Sequence, residues 1–232
     1  MTTRANHRVL VVAAHPDDEV CGCGGTLAVH ASRGDEVRVL VLGEGITSRQ
    51  GEVNGEGALE ALRAEGRVAS KVLGVPRIDF SRFPDNRFDS VPLLEIVRDI
   101  ESVGRDFQPT IVYSHHHGDV NVDHRRVADA VQAAFRPLPG TSVKQMLAFE
   151  VVSSTEWNFR HDGAFRPQRF VELTPMALQA KCDAMRAYVS ELRPFPHPRS
   201  IQNLMNLAAI RGAQVGVPAA EAFALTFNRD VL

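Results

Sequence analysis

The sequence predicts an α/β fold, a Rossmann-like three-layer arrangement in which helices flank a mostly parallel sheet. Two continuous apolar, β-branched runs, RVLVVAA at 8–14 and TIVYS at 110–114, are typical of strands buried on both faces. Strand patterns alternate with helical patterns over the first 150 residues, as the crossover connections of a parallel sheet require. Because ligands bind beyond the carboxyl ends of such strands, we expect the functional site at that edge.

The amino-terminal half of the chain supplies the alternating elements. The first strand ends at Ala14, and a helix should begin at Pro16, because proline and carboxylates favour a first helical turn. Gly34 should end this helix, and a second buried strand follows at 36–42. The next elements are a helix with apolar positions Leu59, Leu62, Ala69 and Leu73, a short strand at 78–80, and a helix with apolar positions Leu93, Ile96, Val97, Ile100 and Val103.

After the strand at 110–114, an apolar stripe at helical spacing predicts a helix. Asp123 is placed as the cap at the start of this helix. The stripe consists of Val127, Ala130, Val131, Ala134 and Phe135. The remaining predicted elements are strands at 145–152 and 169–173, a long helix at 175–192, a helical segment from 200 to about 212, and a short helix after Pro218.

Length and composition are those of an ordinary globular protein. The 232 residues are 44% hydrophobic and 23% charged, which excludes a disordered chain and a disulfide scaffold. We expect one domain over 1–232, with a core at about 8–150 and carboxyl-terminal strands and helices at 151–232 that complete the site. The net charge of −2 argues against a nucleic-acid partner, because phosphate binding needs an excess of basic residues.

Cysteine usage and the amino terminus predict a cytoplasmic protein. Cys21 and Cys23 are separated by one residue, too close for an ordinary disulfide, and a third cysteine makes the number odd. The apolar run at 9–14 is far too short for a membrane span or a secretory signal. We therefore expect no membrane partner, and the sequence leaves a homo-oligomer open.

Two polar clusters follow predicted strands, HPDDE at 15–19 and HHHGDVNVDHR at 115–125. Each cluster alone is also explained as helix caps and surface residues. Together they supply two imidazoles and a carboxylate, the ligand set of a catalytic Zn²⁺ that keeps a fourth position for water. A three-residue spacing lets His15 and Asp18 point the same way, which leaves Asp17 free to act on the water.

A nucleotide site is the competing interpretation of the first helix. Gly22, Gly24 and Gly25 follow a strand, but the phosphate-binding spacing requires glycine where Leu27 stands, and the adjacent carboxylates would repel a pyrophosphate. The two cysteines among these glycines are more typical of buried thiols than of metal ligands. The sequence contains neither a GxSxG elbow nor a P-loop, so serine-nucleophile and NTPase chemistry lack support.

The motif AHPDDE after the first strand, followed by a later DH that opens a helix, resembles the LmbE-like or PIG-L-type zinc deacetylases. These enzymes remove acetyl groups from N-acetylglucosamine derivatives and related amides. The resemblance implies that His15, Asp18 and His124 bind zinc and that Asp17 is the general base. It extends over about residues 8–150, and tail segments within 197–223 are also similar.

One position departs from the family pattern. Many members have a histidine where Asn121 stands, and that histidine polarises the substrate carbonyl. We expect His116 or the amide of Asn121 to take this role, with His115, His117 and His197 as the other candidates. The three adjacent histidines cannot all face one site, because alternate side chains of an extended segment point opposite ways.

The predicted function is that of a zinc-dependent hydrolase that removes an acetyl group from an N-acetyl amino sugar or its conjugate. Zinc would activate a water, and Asp17 would act first as base and then as acid. Fe²⁺ or Co²⁺ would also suit the ligands. The alternatives are an amidase for another amide-linked small-molecule conjugate and a non-catalytic metal- or nucleotide-binding domain. The candidate substrate-binding residues are Arg63, Arg87, His197, Arg211 and Glu221.

Overall fold

The computed structural model describes residues 6–46, 55–160 and 163–229. Its strands are β1 (Arg8–Ala13), β2 (Glu36–Gly43), β3 (Arg77–Phe83), β4 (Ile111–His115), β5 (Gln145–Phe149), β6 (Arg169–Glu172) and β7 (Ala220–Asn228). Its α-helices are α1 (Asp18–Ser32), α2 (Glu56–Val72), α3 (Leu93–Phe107), α4 (Val122–Ala134), α5 (Pro175–Ala187) and α6 (Ile201–Ala213). Short 3-10 helices lie at Phe88–Ser90 and Thr155–Trp157.

The seven strands form one mixed sheet in the order β3-β2-β1-β4-β5-β7-β6. The five strands from β3 to β5 are parallel to their neighbours, whereas β7 is antiparallel to both β5 and β6. The strand order reverses between β1 and β4, which are paired in parallel. Such a reversal opens a crevice at the carboxyl ends of the two strands. The predicted mostly parallel α/β fold is confirmed.

Helices cover both faces of the central sheet. Alternate residues of β1 enter two different cores: Val9 and Val11 face α1, α2 and α5, while Leu10 and Val12 face α3 and α4. A strand that is buried on both faces needs apolar side chains at every position, which explains the continuous apolar run of β1. Among the described residues, no helix is long and apolar enough to cross a membrane.

The tail of the chain differs from its prediction. The prediction of a short helix after Pro218 is wrong, because residues 220–228 form the strand β7. This strand lies between β5 and β6 and pairs antiparallel with both. The predicted long helix at 175–192 ends earlier, at Ala187. The predicted strand at 145–152 likewise ends at Phe149.

A buried ion pair joins this tail to α1. The helix is kinked at Cys23, which has a φ of −146° and a ψ of 16°. Beyond the kink, the amides of Gly25 and Thr26 donate to the Glu221 carboxylate at 3.0 and 2.6 Å. The Lys181 ammonium donates to the same carboxylate and, at 2.8 Å, to the carbonyl of Cys21. The Glu221 carboxylate therefore binds both the backbone amides beyond the kink of α1 and the buried ammonium of Lys181.

Replacing Glu221 with alanine should destabilise the fold, since Lys181 would keep a buried charge without its carboxylate. We expect the free energy of unfolding to fall by about 3–5 kcal/mol, the usual cost of removing one partner of a buried ion pair. Urea denaturation measures this change. The control is Glu172→Ala at an exposed position of β6, which should change stability by less than about 0.5 kcal/mol. Equal stability of the two variants would contradict the structural role of Glu221.

Candidate metal centre

The turn between β1 and α1 brings the first polar cluster to the sheet edge. Asp17, the residue before the helix, has a φ of 98°, in the left-handed region that aspartate enters more readily than most residues. The backbone amide of His15 donates to Asp18 Oδ2 at 2.8 Å, which holds the Asp18 carboxylate against the turn that carries His15. Both residues line a cavity of about 220 Å³.

The start of α4 supplies the second cluster. Asn121, not Asp123 as the sequence suggested, caps this helix, because its side-chain oxygen accepts from the Asp123 amide at 2.8 Å. His124 consequently lies in the first helical turn and lines the same cavity as His15. Two loops that are far apart in the chain thus meet at the reversal between β1 and β4.

Three side-chain atoms form an equilateral triangle in this cavity. His15 Nδ1, Asp18 Oδ2 and His124 Nε2 are each 3.3 Å from the other two. Bonds of about 2.0–2.1 Å from one ion at tetrahedral angles would separate ligand atoms by about 3.3 Å. The triangle therefore has the size and the donor set that a tetrahedral Zn²⁺ requires, with one corner left over.

Each histidine of the triangle contacts a further carboxylate through its other ring nitrogen. Asp123 Oδ2 is 2.9 Å from His15 Nε2, and Asp119 Oδ2 is 3.1 Å from His124 Nδ1. Such carboxylates fix the tautomer and the ring orientation of a metal-binding histidine. Asp123 also accepts from the backbone amides of Asn86 and Phe88 at 2.7 and 2.9 Å. Sequence reasoning missed both orienting roles, although both aspartates belong to the second polar cluster.

The pKa values show how strongly charge is concentrated here. Burial lowers the pKa of His124, but Asp18 and Asp119 outweigh burial and raise it to about 9. Burial likewise opposes ionisation of Asp18, yet the imidazoles of His124 and His115 hold its pKa well below the usual range. The site therefore favours positive charge beside Asp18, and a divalent cation would compete with protons for the same imidazole nitrogens.

Asp17 lies beside the triangle without contributing to it. Burial raises its pKa well above the usual range, and the ion pair with Arg199 offsets this only in part. Arg199 Nη1 is 3.0 Å from Asp17 Oδ2 and 2.9 Å from Glu191 Oε2. Arg199 and Glu191 also line the cavity, and sequence reasoning missed both. The tail segment HPRS at 197–200 was the only signal that pointed to this region.

Of the candidates for polarising a carbonyl, Asn121 alone lines the cavity. Its Nδ2 donates to Asn86 Oδ1 at 3.2 Å. The structure does not bring His116 into the site, because its Nε2 contacts the carbonyl oxygen of Gly163 at 2.7 Å. The Nε2 of His115 accepts from the Ala14 amide at 2.8 Å, and its ring stacks on His124 from outside the cavity.

The predicted substrate-binding residues lie outside the cavity lining. Arg63 donates to the carbonyl of Ser81 at 2.9 Å, and Arg211 forms a two-point ion pair with Glu150. His197 Nδ1 accepts from the Arg199 amide at 3.1 Å. Glu221 is engaged at the kink of α1, as described above. Arg87 is exposed and is likewise absent from the lining.

Comparison with known proteins identifies similar deacetylases. The chain is 28% identical to the uncharacterized deacetylase YaiS of Escherichia coli K12 over 198 residues, which is 82% of this chain and 96% of that protein. It is 27% identical to the diacetylchitobiose deacetylase of Thermococcus kodakarensis over 194 residues, which is 79% of this chain and 70% of that protein.

A solved structure shows the same fold. The N,N'-diacetylchitobiose deacetylase of Pyrococcus horikoshii superposes with a TM-score of 0.76 and 22% identity, covering 94% of this chain and 83% of that one. The sequence profile of one family, described as PIG-L: GlcNAc-PI de-N-acetylase, matches residues 10–135, more than half of the chain. This protein therefore belongs to the PIG-L family.

Proposed function

We propose that this protein is a metal-dependent hydrolase that removes the acetyl group from an N-acetyl amino sugar or its conjugate. The observation that carries the proposal is the triangle of His15, Asp18 and His124 with the carboxylate of Asp17 beside it in one cavity. Membership of a family described as a de-N-acetylase, and similarity to diacetylchitobiose deacetylases, support this choice of substrate.

The chain's own residues would hold the ion. We assign His15 Nδ1, Asp18 Oδ2 and His124 Nε2 as its ligands, and Zn²⁺ as the metal, because two imidazoles and a carboxylate at tetrahedral spacing suit it. When bound, such an ion polarises a carbonyl and lowers the pKa of a bound water to about 7. Asp119 and Asp123 would keep the two rings oriented.

Asp17 would move the proton. Its carboxylate accepts the proton of the water that attacks the amide carbon, and a new carbon–oxygen bond forms. As the carbon–nitrogen bond breaks, the same carboxyl returns the proton to the departing amine, leaving acetate and the amino sugar. Arg199 and the left-handed backbone hold the carboxylate at the cavity wall.

Asn121 would stabilise the charge that develops on the carbonyl oxygen. A side-chain amide carries two N–H groups, so Asn121 can donate to the substrate while one N–H contacts Asn86. This assignment takes the place of the histidine that many family members have at this position.

Asp17→Asn should reduce kcat by about 10²–10⁴-fold, because a general base contributes a factor of that size. Asparagine suits the left-handed backbone at this position, where φ is 98°, so the fold should be kept. Acetate release from N,N'-diacetylchitobiose and a panel of N-acetyl sugars measures the loss, and metal analysis should show unchanged content. Near-full activity with metal bound would refute the base assignment.

His124→Ala should reduce the metal content from one ion per chain towards zero, since two ligands remain of three. The matched control is His117→Ala, an exposed histidine of the same cluster, which should retain its metal. Elemental analysis after dialysis against a trace of chelator distinguishes the two variants. Full metal content in His124→Ala would contradict the ligand set.

Asn121→Ser should reduce kcat by about 10²–10³-fold, the usual effect of losing one oxyanion donor. Serine also caps helices well, so the start of α4 should be preserved, which thermal unfolding can check. The control His116→Ala should keep most of its activity. The reverse ranking of the two variants would assign the role to His116.

A further inference from the structure

We propose that Tyr188, the residue that follows α5, is a positioning residue for the proton transfer by Asp17. Its buried hydroxyl acts through the side chain of Glu19, which contacts the backbone of Asp17. This inference rests on the proposed function, because Asp17 is the base of that reaction. Neither Tyr188 nor Glu19 lines the cavity, so both would act on the base and not on the substrate.

The backbone of Asp17 has an unfavourable conformation that needs support. Its φ of 98° lies in the left-handed region, where a residue other than glycine persists only when the surrounding contacts fix it. The Asp17 carbonyl accepts from the amides of Val20 and Cys21 at 3.1 and 2.9 Å, in the first turn of α1. The Asp17 amide donates to Glu19 Oε2 at 3.2 Å. This last contact comes from a side chain, so it depends on how that side chain is held.

Tyr188 holds the Glu19 carboxylate at its other oxygen. The Tyr188 hydroxyl donates to Glu19 Oε1 at 2.6 Å. Tyr188 and Glu19 are 0% and 1% exposed, so a lost partner would leave an unsatisfied buried group. Burial raises the pKa of Tyr188 well above its usual range, so the hydroxyl keeps its proton and remains a donor. The Glu19 carboxylate is therefore fixed by a donor at each of its oxygens.

The fold leaves room for this hydroxyl. Helix α5 ends at Ala187, and Tyr188 has a φ of −82° and a ψ of 69°, outside the helical region. The hydroxyl lies against Gly66 of α2, where a Cβ atom would be 2.9 Å from the hydroxyl oxygen. A side chain at position 66 would therefore press on the hydroxyl, whereas glycine allows the close approach.

Tyr188 is also linked to the carboxylate of the base. The carbonyl of Tyr188 accepts from the Glu191 amide at 3.1 Å. Arg199 Nη1 donates both to Glu191 Oε2 at 2.9 Å and to Asp17 Oδ2 at 3.0 Å. A closed ring of contacts thus runs from the backbone amide of Asp17 through Tyr188 to the side chain of Asp17. Such a ring keeps the carboxylate in one place, as proton transfer to and from a bound substrate requires.

The first test uses Tyr188→Phe in the metal-loaded enzyme, a change that removes the hydroxyl and keeps the ring. We expect kcat for acetate release to fall about 10–100-fold and KM to change less than about twofold, because a displaced catalytic group slows the chemical step more than it weakens binding. Elemental analysis should show unchanged metal content, since the three ligands are intact.

The matched control is Tyr113→Phe, at the other of the two tyrosines of the chain. Tyr113 is also buried, its hydroxyl is 3.0 Å from His30 Nε2, and it lies outside the cavity lining. This variant should lose comparable thermal stability and keep its kcat. Wild-type kcat in Tyr188→Phe, with Asp17→Asn inactive, would overturn the inference and leave the deacetylase function intact. An equal loss of kcat in both tyrosine variants would also overturn it.

The second test separates the hydrogen bonds of Glu19 from its charge. In Glu19→Gln, the side-chain oxygen can still accept from the Asp17 amide, and the NH₂ group can donate to the oxygen of Tyr188. Glu19→Leu offers neither group. We expect Glu19→Gln to keep most of its kcat and Glu19→Leu to lose at least as much as Tyr188→Phe. Equal losses in the two Glu19 variants would assign the effect to charge and overturn the inference.

Crystal structures keep the inference testable if no N-acetyl sugar is hydrolysed. The comparison is between the wild-type protein and Tyr188→Phe, both grown with Zn²⁺. We expect Asp17 to be displaced in the variant, with its amide no longer in contact with Glu19. An identical position of Asp17 in the two structures would overturn the inference on its own, whereas absent turnover of every N-acetyl sugar by the wild-type protein would count against the proposed function.

Discussion

The site depends on the parallel pairing of β1 with β4 at the centre of the sheet. Because the two strands run in the same direction, the chain leaves both at one edge. Their helices then pack on opposite faces, α1 in one core and α4 in the other. This reversal opens the crevice in which His15 and His124, 109 positions apart in the chain, come within 3.3 Å.

Buried charge explains why the site needs so many supporting contacts. A carboxylate removed from water is stable only when it is paired or hydrogen-bonded. Asp123 meets this condition through two backbone amides and an imidazole, and Asp119 through the hydroxyls of Ser154 and Thr155 as well as an imidazole. These contacts hold the histidines in place, while a divalent ion would supply the positive charge that Asp18 favours.

Local patterns were enough to predict the architecture and part of the site. Continuous apolar runs located the buried parallel strands, and the three-residue spacing correctly placed His15 and Asp18 side by side, although the two residues meet across the turn before α1 and not within the helix. His124 came from family resemblance. Arg199 and Glu191 were missed because only the fold brings them to the cavity; Arg199, which contacts Asp17, is 182 positions from it along the chain. The segment after Pro218 is a strand and not the expected helix, because pairing with β5 and β6 outweighs the local preference of these residues for a helix.

The central claim, that the three-atom triangle binds one divalent metal ion, is tested most directly by anomalous diffraction at the zinc edge from crystals grown with Zn²⁺. One strong peak should lie about 2.0–2.2 Å from His15 Nδ1, Asp18 Oδ2 and His124 Nε2. A fully occupied peak elsewhere, or an empty triangle at saturating Zn²⁺, would contradict the account.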